Sequence, residues 1–197
     1  MSLIIGLTGG IATGKTTISN LFIKHNIPVI DSDILARKVV EKNQPAYNKI
    51  IQEFGSDILL SSGDLNRKLL GEIIFNDDHK RKILNNIVHP EVRKATIEAI
   101  DIYQKLGYKV IVLDVPLLFE SHFDELCDYT VVVYANESVQ LDRLIKRDNL
   151  TMEEAMKRIN TQMSLTEKVK LADFTIDNSN SLIETKAQFT KLMQKWK

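Results

Sequence analysis

Residues 3–17, LIIGLTGGIATGKTT, restrict the possible folds of this chain more than any other stretch. They contain Gly9, four further residues and then Gly14, Lys15 and Thr16, which is the G-x-x-x-x-G-K-S/T pattern of a phosphate-binding loop. An apolar run comes before the pattern, and apolar residues at helical spacing follow it. We therefore predict a buried strand, the loop and a helix in that order, which is the context in which this pattern binds polyphosphate.

The residues of the loop have defined tasks in that interpretation. The glycines let the backbone N–H groups turn inward, and the start of the helix adds the positive end of its dipole. Lys15 is placed to reach the β- and γ-phosphates, and the Thr16 hydroxyl is placed to hold Mg²⁺. The alternative is a glycine-rich turn that only begins a helix and leaves Lys15 in solvent. The predicted nucleotide-binding residues of this segment are Gly10, Ile11, Ala12, Thr13, Gly14, Lys15, Thr16 and Thr17.

Charge and cysteine content exclude several classes of protein. Lys plus Arg and Asp plus Glu each number 26, so no net field favours nucleic acid or a membrane surface as a partner. The single cysteine, Cys127, excludes an internal disulfide, and without a Cys/His cluster a structural zinc ion is not expected. The sequence has no signal-peptide pattern and no window that approaches about 20 apolar residues, so a cytoplasmic location is expected.

Two carboxylates follow the second apolar run, Ile27 to Ile30. Ligands gather at the carboxyl ends of strands in a parallel α/β sheet, so Asp31 and Asp33 are predicted to lie at the same edge as the phosphate loop. Asp31 is a suitable N-cap for the helix that follows. Asp33 is the better candidate for chemistry, either as a general base or as a hydrogen-bond acceptor for a substrate hydroxyl.

Residues 44–89 contain no strand-like run, and their short helical patterns predict a helical insertion between the second and third strands. Arg67 and His89 are the candidate ligand contacts in this insertion. His89 could bind a phosphate or a ribose, or it could merely precede Pro90, which is expected to begin a helix over residues 91–106. Both interpretations of His89 stay open.

The third predicted strand, Lys109 to Asp114, ends in a carboxylate after four apolar residues. This is the form of a Walker B segment, whose Asp reaches Mg²⁺ directly or through water. Leu118 and Phe119 then lie beside Glu120, and they could be core residues or one wall of a pocket.

The fourth predicted strand, Tyr129 to Tyr134, leads to two helices separated by a short polar turn. Arg143 and Arg147 lie four residues apart and therefore share one face of the first helix. Thr151-x-x-Glu154 is a capping box that begins the second helix. Because guanidinium groups suit phosphate oxygens, these helices are predicted to form a lid over a nucleotide. The alternative is a solvated, charged helix face.

A fifth predicted strand, Phe174 to Asp177, is followed by Asn178, and Ser181-x-x-Glu184 begins the last helix. The apolar stripe of that helix is predicted to belong to the core. Its members are Leu182, Ile183, Phe189, Leu192, Met193 and Trp196.

Taken in order along the chain, these motifs resemble those of the dephospho-CoA kinases, a family of P-loop small-molecule kinases. The resemblance extends from Leu3 to about Asn178, which is nearly the whole chain. A phosphate loop alone is common to many families, whereas the ordered set is far more specific. The matching segments are LTGGIATGKT at 7–16, DSD at 31–33, N-R-x-x-L at 66–70, HP at 89–90, LDVPLLFE at 113–120, the lid arginines and AD-x-x-I-x-N at 172–178.

The resemblance implies an α/β fold of the P-loop NTPase type, a three-layer α/β/α arrangement with a five-stranded parallel sheet, a helical substrate-binding insertion and a helical lid. It assigns residues 1–33, 107–136 and 171–197 to a nucleotide-binding core, 34–106 to a domain for the CoA precursor, and 137–170 to the lid. It also implies that the γ-phosphate of ATP is transferred to the ribose 3′-hydroxyl of dephospho-CoA, the final step of coenzyme A biosynthesis, with Mg²⁺ as cofactor. A monomer is expected.

The same resemblance implies roles for individual residues. Asp33, Lys15 and Arg143 are predicted to be catalytic. Arg147 and Asn178 are predicted to join the loop in binding ATP. The predicted Mg²⁺ ligands are Thr16 and Asp114. The predicted substrate contacts are Thr8, Asp33, Arg67, His89, Leu118, Phe119 and Glu120.

Ala12 and Thr13 stand where Gly and Ser are usual in the family, and neither is expected to need a side-chain contact. One rival function is a kinase for a nucleoside monophosphate or a shikimate-like alcohol. A nucleoside-monophosphate kinase should show more arginines in the insertion than Arg67 and Arg81. A switch GTPase should carry an N-K-x-D motif, which the sequence lacks. A non-enzymatic binding protein with a vestigial loop is disfavoured by the intact set of Lys15, Thr16, Asp33 and Asp114.

Overall fold

Short runs of aliphatic residues form the strands of a parallel sheet, because a strand that is covered on both faces has no polar side to present. The structure is a computed structural model, and it describes residues 2–196. Within that range the strands, numbered β1 to β5 in chain order, are Leu3–Gly9, Val29–Asp31, Val110–Asp114, Tyr129–Tyr134 and Phe174–Asp177.

The strands form one parallel sheet in the order β2-β3-β1-β4-β5. Strand β1 lies between β3 and β4, and its Leu7 pairs with Asp114 of β3. The chain leaves β1 at the point where the strand order changes direction, which is where ligands bind in open α/β sheets. The register therefore places Asp114 directly beside the residues that enter the phosphate loop.

The helices are numbered α1 to α9 in chain order, and three short 3₁₀ helices accompany them in the described residues. The α-helices are Lys15–Lys24, Ser32–Lys38, Pro45–Phe54, Arg67–Asn76, Asp78–Lys105, Glu137–Asp148, Met152–Ile159, Leu165–Leu171 and Leu182–Met193. The 3₁₀ helices are Ser56–Ile58, Asp124–Leu126 and Gln194–Trp196. None of the described helices combines the length and the apolar content needed to cross a membrane.

The chain divides into two compact units. The first unit contains the residues up to Ile30 and from Tyr103 onward, and the second unit is Asp31–Ile102. Helices α1 and α9 of the first unit cover the sheet, and the rings of Phe22 and Phe189 meet edge to face with their centroids 4.8 Å apart. The second unit has its own core, whose buried members are Val40, Ala46, Tyr47, Ile50, Ile58, Leu65 and Leu70.

The predicted fold class is confirmed, because the sheet is five-stranded and parallel and helices complete a three-layer α/β arrangement. The strand at Phe174–Asp177 has the predicted bounds, and the strand predicted over Ile27 to Ile30 begins later, at Val29. Both predicted helix starts are confirmed. Thr151 forms a full capping box with Glu154, and the Ser181 side chain accepts the N–H of Glu184.

The prediction that Pro90 begins a helix was wrong, because α5 starts at Asp78 and continues through Pro90. Proline cannot donate a hydrogen bond to the carbonyl four residues earlier. Here that carbonyl belongs to Asn86, and both Asn86 and Pro90 lie on an exposed side of the helix. Water can bond the carbonyl there, so one missing bond does not end a helix of 28 residues.

Two further predictions for the helices need correction. Leu182 and Ile183 do not belong to the core, since they are 51% and 81% exposed at the start of α9. The predicted lid segment contains a third helix, α8, which begins with a capping box between Ser164 and Glu167. Helix α7 ends at Ile159, so Gln162 lies in the connection before α8.

Phe189→Ala should lower the free energy of unfolding of the first unit by about 3–5 kcal/mol, because it removes a fully buried ring and leaves a cavity between α9 and the sheet. Phe75 is 85% exposed and supplies the control, since Phe75→Ala should change that free energy by less than about 0.5 kcal/mol. Urea denaturation followed by circular dichroism measures both variants. Similar losses for the two would contradict this description of the core.

Candidate active site

The backbone and side chains around the phosphate loop leave no room for a Cβ atom at either glycine of its pattern, Gly9 or Gly14. A Cβ atom on Gly14 would lie 2.0 Å from Nδ2 of Asn178, and one on Gly9 would lie 2.5 Å from the carbonyl oxygen of Val133. Gly14 also has a φ of 90°, in the left-handed region that glycine tolerates best. Ala12 has a φ of 59°, which is the physical reason why glycine suits that position as well.

Side chains behind the loop hold its backbone in this shape. Asn178 is buried, its Nδ2 donates to the carbonyl oxygen of Thr13 at 2.8 Å, and its Oδ1 accepts from Oγ1 of Thr185 at 2.9 Å. The Thr13 hydroxyl donates to the carbonyl oxygen of Gly10 at 2.9 Å. The expectation that Thr13 needs no side-chain contact was therefore wrong, because a tightly curled loop has no ladder to satisfy its carbonyl groups.

Two glutamines of the predicted lid bond the two backbone polar groups of Ile11. Nε2 of Gln140 donates to the Ile11 carbonyl oxygen at 2.7 Å, and the Ile11 N–H donates to Oε1 of Gln162 at 3.2 Å. Gln140 is 3% exposed. The sequence reasoning missed this function for both residues, since a single glutamine carries no local signal that it will bond a distant backbone group.

A carboxylate at the end of β3 joins the loop to its neighbouring strand. Asp114 is buried, and it accepts a hydrogen bond from Nζ of Lys15 on one oxygen and from Oγ of Ser19 on the other. Ser19 was not predicted, although it lies four residues after Lys15 and therefore on the same face of α1. The arrangement holds the lysine of the phosphate-binding pattern at the carboxyl edge of the sheet.

This site fits a nucleotide and Mg²⁺. The N–H groups in the first turn of α1 have no carbonyl partner within that helix, so the helix start suits phosphate oxygens. Thr16 is exposed at this start. In the described part of the chain, no three His, Cys, Asp or Glu side chains are grouped to hold a metal ion. The available donors are a hydroxyl and one carboxylate, which suits Mg²⁺ because it completes its shell with water and substrate phosphates.

The lid arginines differ in their surroundings. Arg147 is exposed and donates to both oxygens of Asp148, at 2.8 and 3.1 Å, and Arg158 donates to the same carboxylate at 2.7 Å. The hydrogen bond from Arg147, followed by the charges of both arginines, holds the pKa of Asp148 below its usual range. Arg147 is therefore exposed and paired with an acidic side chain, as the alternative of a solvated, charged helix face predicts. Nη1 of Arg143, in contrast, is buried and has no hydrogen-bond partner among the described residues.

The segment after β3 lies largely inside the first unit. Leu118 is fully buried, and its methyl groups lie about 3 Å from the position of a Cβ on Gly6, so it is a core residue. Phe119 is 8% exposed. Thr8 is fully buried and its hydroxyl donates to the carbonyl oxygen of Pro116 at 3.0 Å, a geometry that does not support a direct contact with substrate.

Two ionisable groups of this unit have environments that bear on reactivity. Glu120 Oε1 lies 3.0 Å from Nζ of Lys168 and accepts the N–H of Met163 at 3.1 Å. Burial, reinforced by the charges of Asp124 and Asp128, raises the pKa of the Cys127 thiol to about 12. The thiol therefore stays protonated at neutral pH, and it is not a nucleophile.

The predicted acceptor residues belong to the second unit. Asp33 lies in the first turn of α2 with an exposed side chain, and its N–H donates to Oδ1 of Asp31 at 2.8 Å. Asp31 is therefore the N-cap, as predicted. Arg67 is the first residue of α4 and donates to the carbonyl oxygen of Arg37 at 3.2 Å. His89 lies within α5, where partial desolvation lowers its pKa.

A parallel sheet, a glycine-rich loop with its lysine, and an aspartate on the neighbouring strand define a P-loop nucleotide-binding protein. The sequence profile of the dephospho-CoA kinase family matches residues 3–184. The chain belongs to the dephospho-CoA kinase family.

Individual relatives agree with this family. The dephospho-CoA kinase of Bacillus anthracis is 49% identical over 196 residues, which are 100% of this chain and 98% of the relative. A solved dephospho-CoA kinase from Campylobacter jejuni is 32% identical with a TM-score of 0.76, covering 99% of this chain and 97% of that one. The solved protein TT1252 from Thermus thermophilus is 30% identical with a TM-score of 0.83, covering 100% and 98%.

Asn178→Ala should weaken ATP binding by about tenfold, equivalent to about 1.4 kcal/mol, because the Thr13 carbonyl loses its donor and the loop is less well ordered before binding. Isothermal titration with ATP measures the change. Asn180→Ala is the matched control, since Asn180 is exposed and its side chain donates to Glu184, at 3.2 Å, away from the loop. An unchanged dissociation constant in Asn178→Ala would show that the loop keeps its shape without this side chain.

Proposed function

We propose that this protein transfers the γ-phosphate of ATP to the ribose 3′-hydroxyl of dephospho-CoA, producing CoA and ADP. The observation that carries the proposal is the phosphate loop, with Lys15 bonded to Asp114, in a chain that belongs to the dephospho-CoA kinase family along nearly its whole length. The reaction is the final step of coenzyme A biosynthesis. A cytoplasmic location and a monomeric state remain predictions from the sequence.

Phosphoryl transfer needs positioning and charge stabilisation more than covalent work by the protein. The loop amides and the start of α1 bind the phosphate oxygens, and Lys15 donates to the oxygens that gain charge in the transition state. Thr16 and Asp114 would hold Mg²⁺, which when bound neutralises charge on the β- and γ-phosphates. Arg143, whose buried Nη1 has no partner in the described residues, is the lid arginine that supplies a further positive charge.

Asp33 binds the acceptor hydroxyl in this proposal. Its backbone is held by the Asp31 cap, and the N-terminal end of a helix favours a negative side chain. The carboxylate therefore accepts a hydrogen bond from the ribose 3′-hydroxyl, and it either removes the proton or orients the oxygen for in-line attack. Both roles require the same contact, and they differ in how strongly the loss of charge lowers turnover.

The second unit supplies the remaining acceptor contacts in this proposal. A cavity of about 230 Å³ in this unit has a mainly apolar lining, and Arg67 contributes to its wall. An apolar wall with one guanidinium suits a ligand that has both an aliphatic arm and phosphate groups. Residues 34–106 are therefore proposed as the domain for the CoA precursor, with Arg67 and His89 as contacts. Phe119 and Glu120 remain substrate contacts predicted from the sequence resemblance.

Lys15→Ala should reduce kcat below about 10⁻³ of the parent value, because it removes a charge that stabilises the transferred phosphoryl group. A coupled ADP-release assay with dephospho-CoA measures this, and circular dichroism checks the fold. Lys24→Ala, at the exposed end of the same helix, is the control. Substantial activity in Lys15→Ala would remove the loop from the proposed mechanism. Parallel assays of the parent protein with AMP, CMP and shikimate test the rival acceptors.

Asp33→Asn should lower kcat by about 10²–10⁴, the usual range for a general acid–base group, with little change in ATP affinity. The same assay gives kcat, and titration with ATP gives the affinity. Asp57→Asn, an exposed substitution in the second unit, is the control. Near-normal turnover in Asp33→Asn would remove Asp33 from the proposed mechanism, while a clear loss that stays below about tenfold would leave it only the orienting role.

A further inference from the structure

We propose that Lys168 is a positioning residue of this kinase, which acts by fixing Glu120 and the carbonyl group of Pro116 beside the phosphate loop. The expected effect on turnover rests on the proposed function. Lys168 lies on α8, within the predicted lid segment, and none of the sequence motifs identified it. The structural observation is a fully buried ammonium group with two oxygen partners, both of which belong to the segment that follows β3 in the chain.

Burial of this lysine is unusual for a charged side chain. Lys168 is 0% exposed, and its Nζ donates to the Pro116 carbonyl oxygen at 2.9 Å and lies 3.0 Å from Oε1 of Glu120. Moving an ammonium group out of water is costly, so it is tolerated only with oxygen partners in good geometry. An apolar residue of similar volume would often serve stability equally well. The charge therefore needs a further reason, and directional bonding of its partners supplies one.

The first partner connects α8 to the entrance of the phosphate loop. The Pro116 carbonyl oxygen accepts a second hydrogen bond from Oγ1 of Thr8, at 3.0 Å. Thr8 directly precedes Gly9, the first residue of the phosphate-binding pattern, and Pro116 lies two residues after Asp114. One carbonyl group thus joins β1, the end of β3 and the lid helix. A shift of Lys168 would be transmitted to both strands that carry the phosphate site.

The second partner connects the same helix to the loop through neighbouring residues. Glu120 Oε1 also accepts the N–H of Met163 at 3.1 Å, and Gln162, the preceding residue, binds the N–H of Ile11 in the loop. Oε2 of Glu120 is buried without a partner among the described residues, so the orientation of the carboxylate depends on the Met163 N–H and on the ion pair with Lys168 at Oε1. Loss of Lys168 would leave this carboxylate with a single backbone donor.

This arrangement predicts a separation between stability and turnover. Lys168→Met removes the charge but keeps most of the volume, and it leaves the Glu120 carboxylate, 22% exposed, without its cation. Adding Glu120→Gln removes the orphaned charge, so the double variant should be more stable than Lys168→Met alone. Turnover should not recover in the double variant. Neither the amide introduced at position 120 nor the thioether introduced at position 168 restores the hydrogen bond that fixes the Pro116 carbonyl group.

The experiment is a double-mutant cycle with Lys168→Met, Glu120→Gln and the combined variant, and Lys170→Met on the exposed side of α8 is the control. We expect Lys168→Met to lower kcat about 10- to 100-fold with ATP affinity within about threefold of the parent, the size of effect that a misplacement of about 1 Å produces. The combined variant should have the kcat of the slower single variant, because the two residues act as one unit. Multiplied losses, or parental kcat in Lys168→Met, would overturn the proposal.

Hydrogen exchange at the Met163 amide provides a measurement that does not depend on the acceptor. In Lys168→Met the Glu120 carboxylate is no longer fixed, so this amide should exchange at least about tenfold faster, while amides of α3, in the second unit, keep the parental rate. An unchanged Met163 rate would contradict the coupling between Lys168 and Glu120. If the parent protein fails to phosphorylate dephospho-CoA, the proposed function fails, whereas the exchange result still decides whether Lys168 positions these groups.

Discussion

The phosphate loop depends on side chains that bond its backbone from outside. A loop that turns its N–H groups towards an anion cannot form a regular ladder, so its remaining polar groups need other partners. Asn178, which follows β5, bonds the carbonyl group of Thr13, while Gln140 and Gln162 of the predicted lid bond the carbonyl group and the N–H of Ile11. The loop is thereby ordered before any ligand arrives, which lowers the entropy lost on binding. The last helix, the end of the fifth strand and the predicted lid all contribute to this one constraint.

A second organising feature is the pairing of buried charges near the carboxyl edge of the sheet. Asp114 bonds both Lys15 and Ser19, and Lys168 bonds the Pro116 carbonyl group and Glu120. Such pairs offer little net stability because desolvation offsets much of their attraction. Their value lies in fixed orientation, and phosphoryl transfer gains most from fixed orientation. The same chemistry that makes these groups costly to bury makes them useful in a kinase.

Much of the fold could be predicted because its signals are local. Aliphatic runs identified the strands, and the Ser/Thr-x-x-Glu pattern identified two helix starts through bonds that span only three residues. Predictions were wrong where the tertiary surroundings of a segment changed the outcome that a local sequence rule predicts. Pro90 was taken as a helix start, but an exposed side of α5 allows water to replace the missing bond. Leu182 and Ile183 continue an apolar stripe beyond the point where α9 still faces the sheet.

The sequence by itself determined the strand-loop-helix unit, the cap at Asp31 and the order of motifs that marks the dephospho-CoA kinase family. These depend on backbone conformation and on contacts within a few residues, which a linear pattern records. Only the tertiary structure decided that Gln140 and Gln162 bind the loop, and that a lysine at position 168 is buried. Those roles depend on partners far away in the chain, because burial and pairing are properties of the packed molecule and not of any short segment.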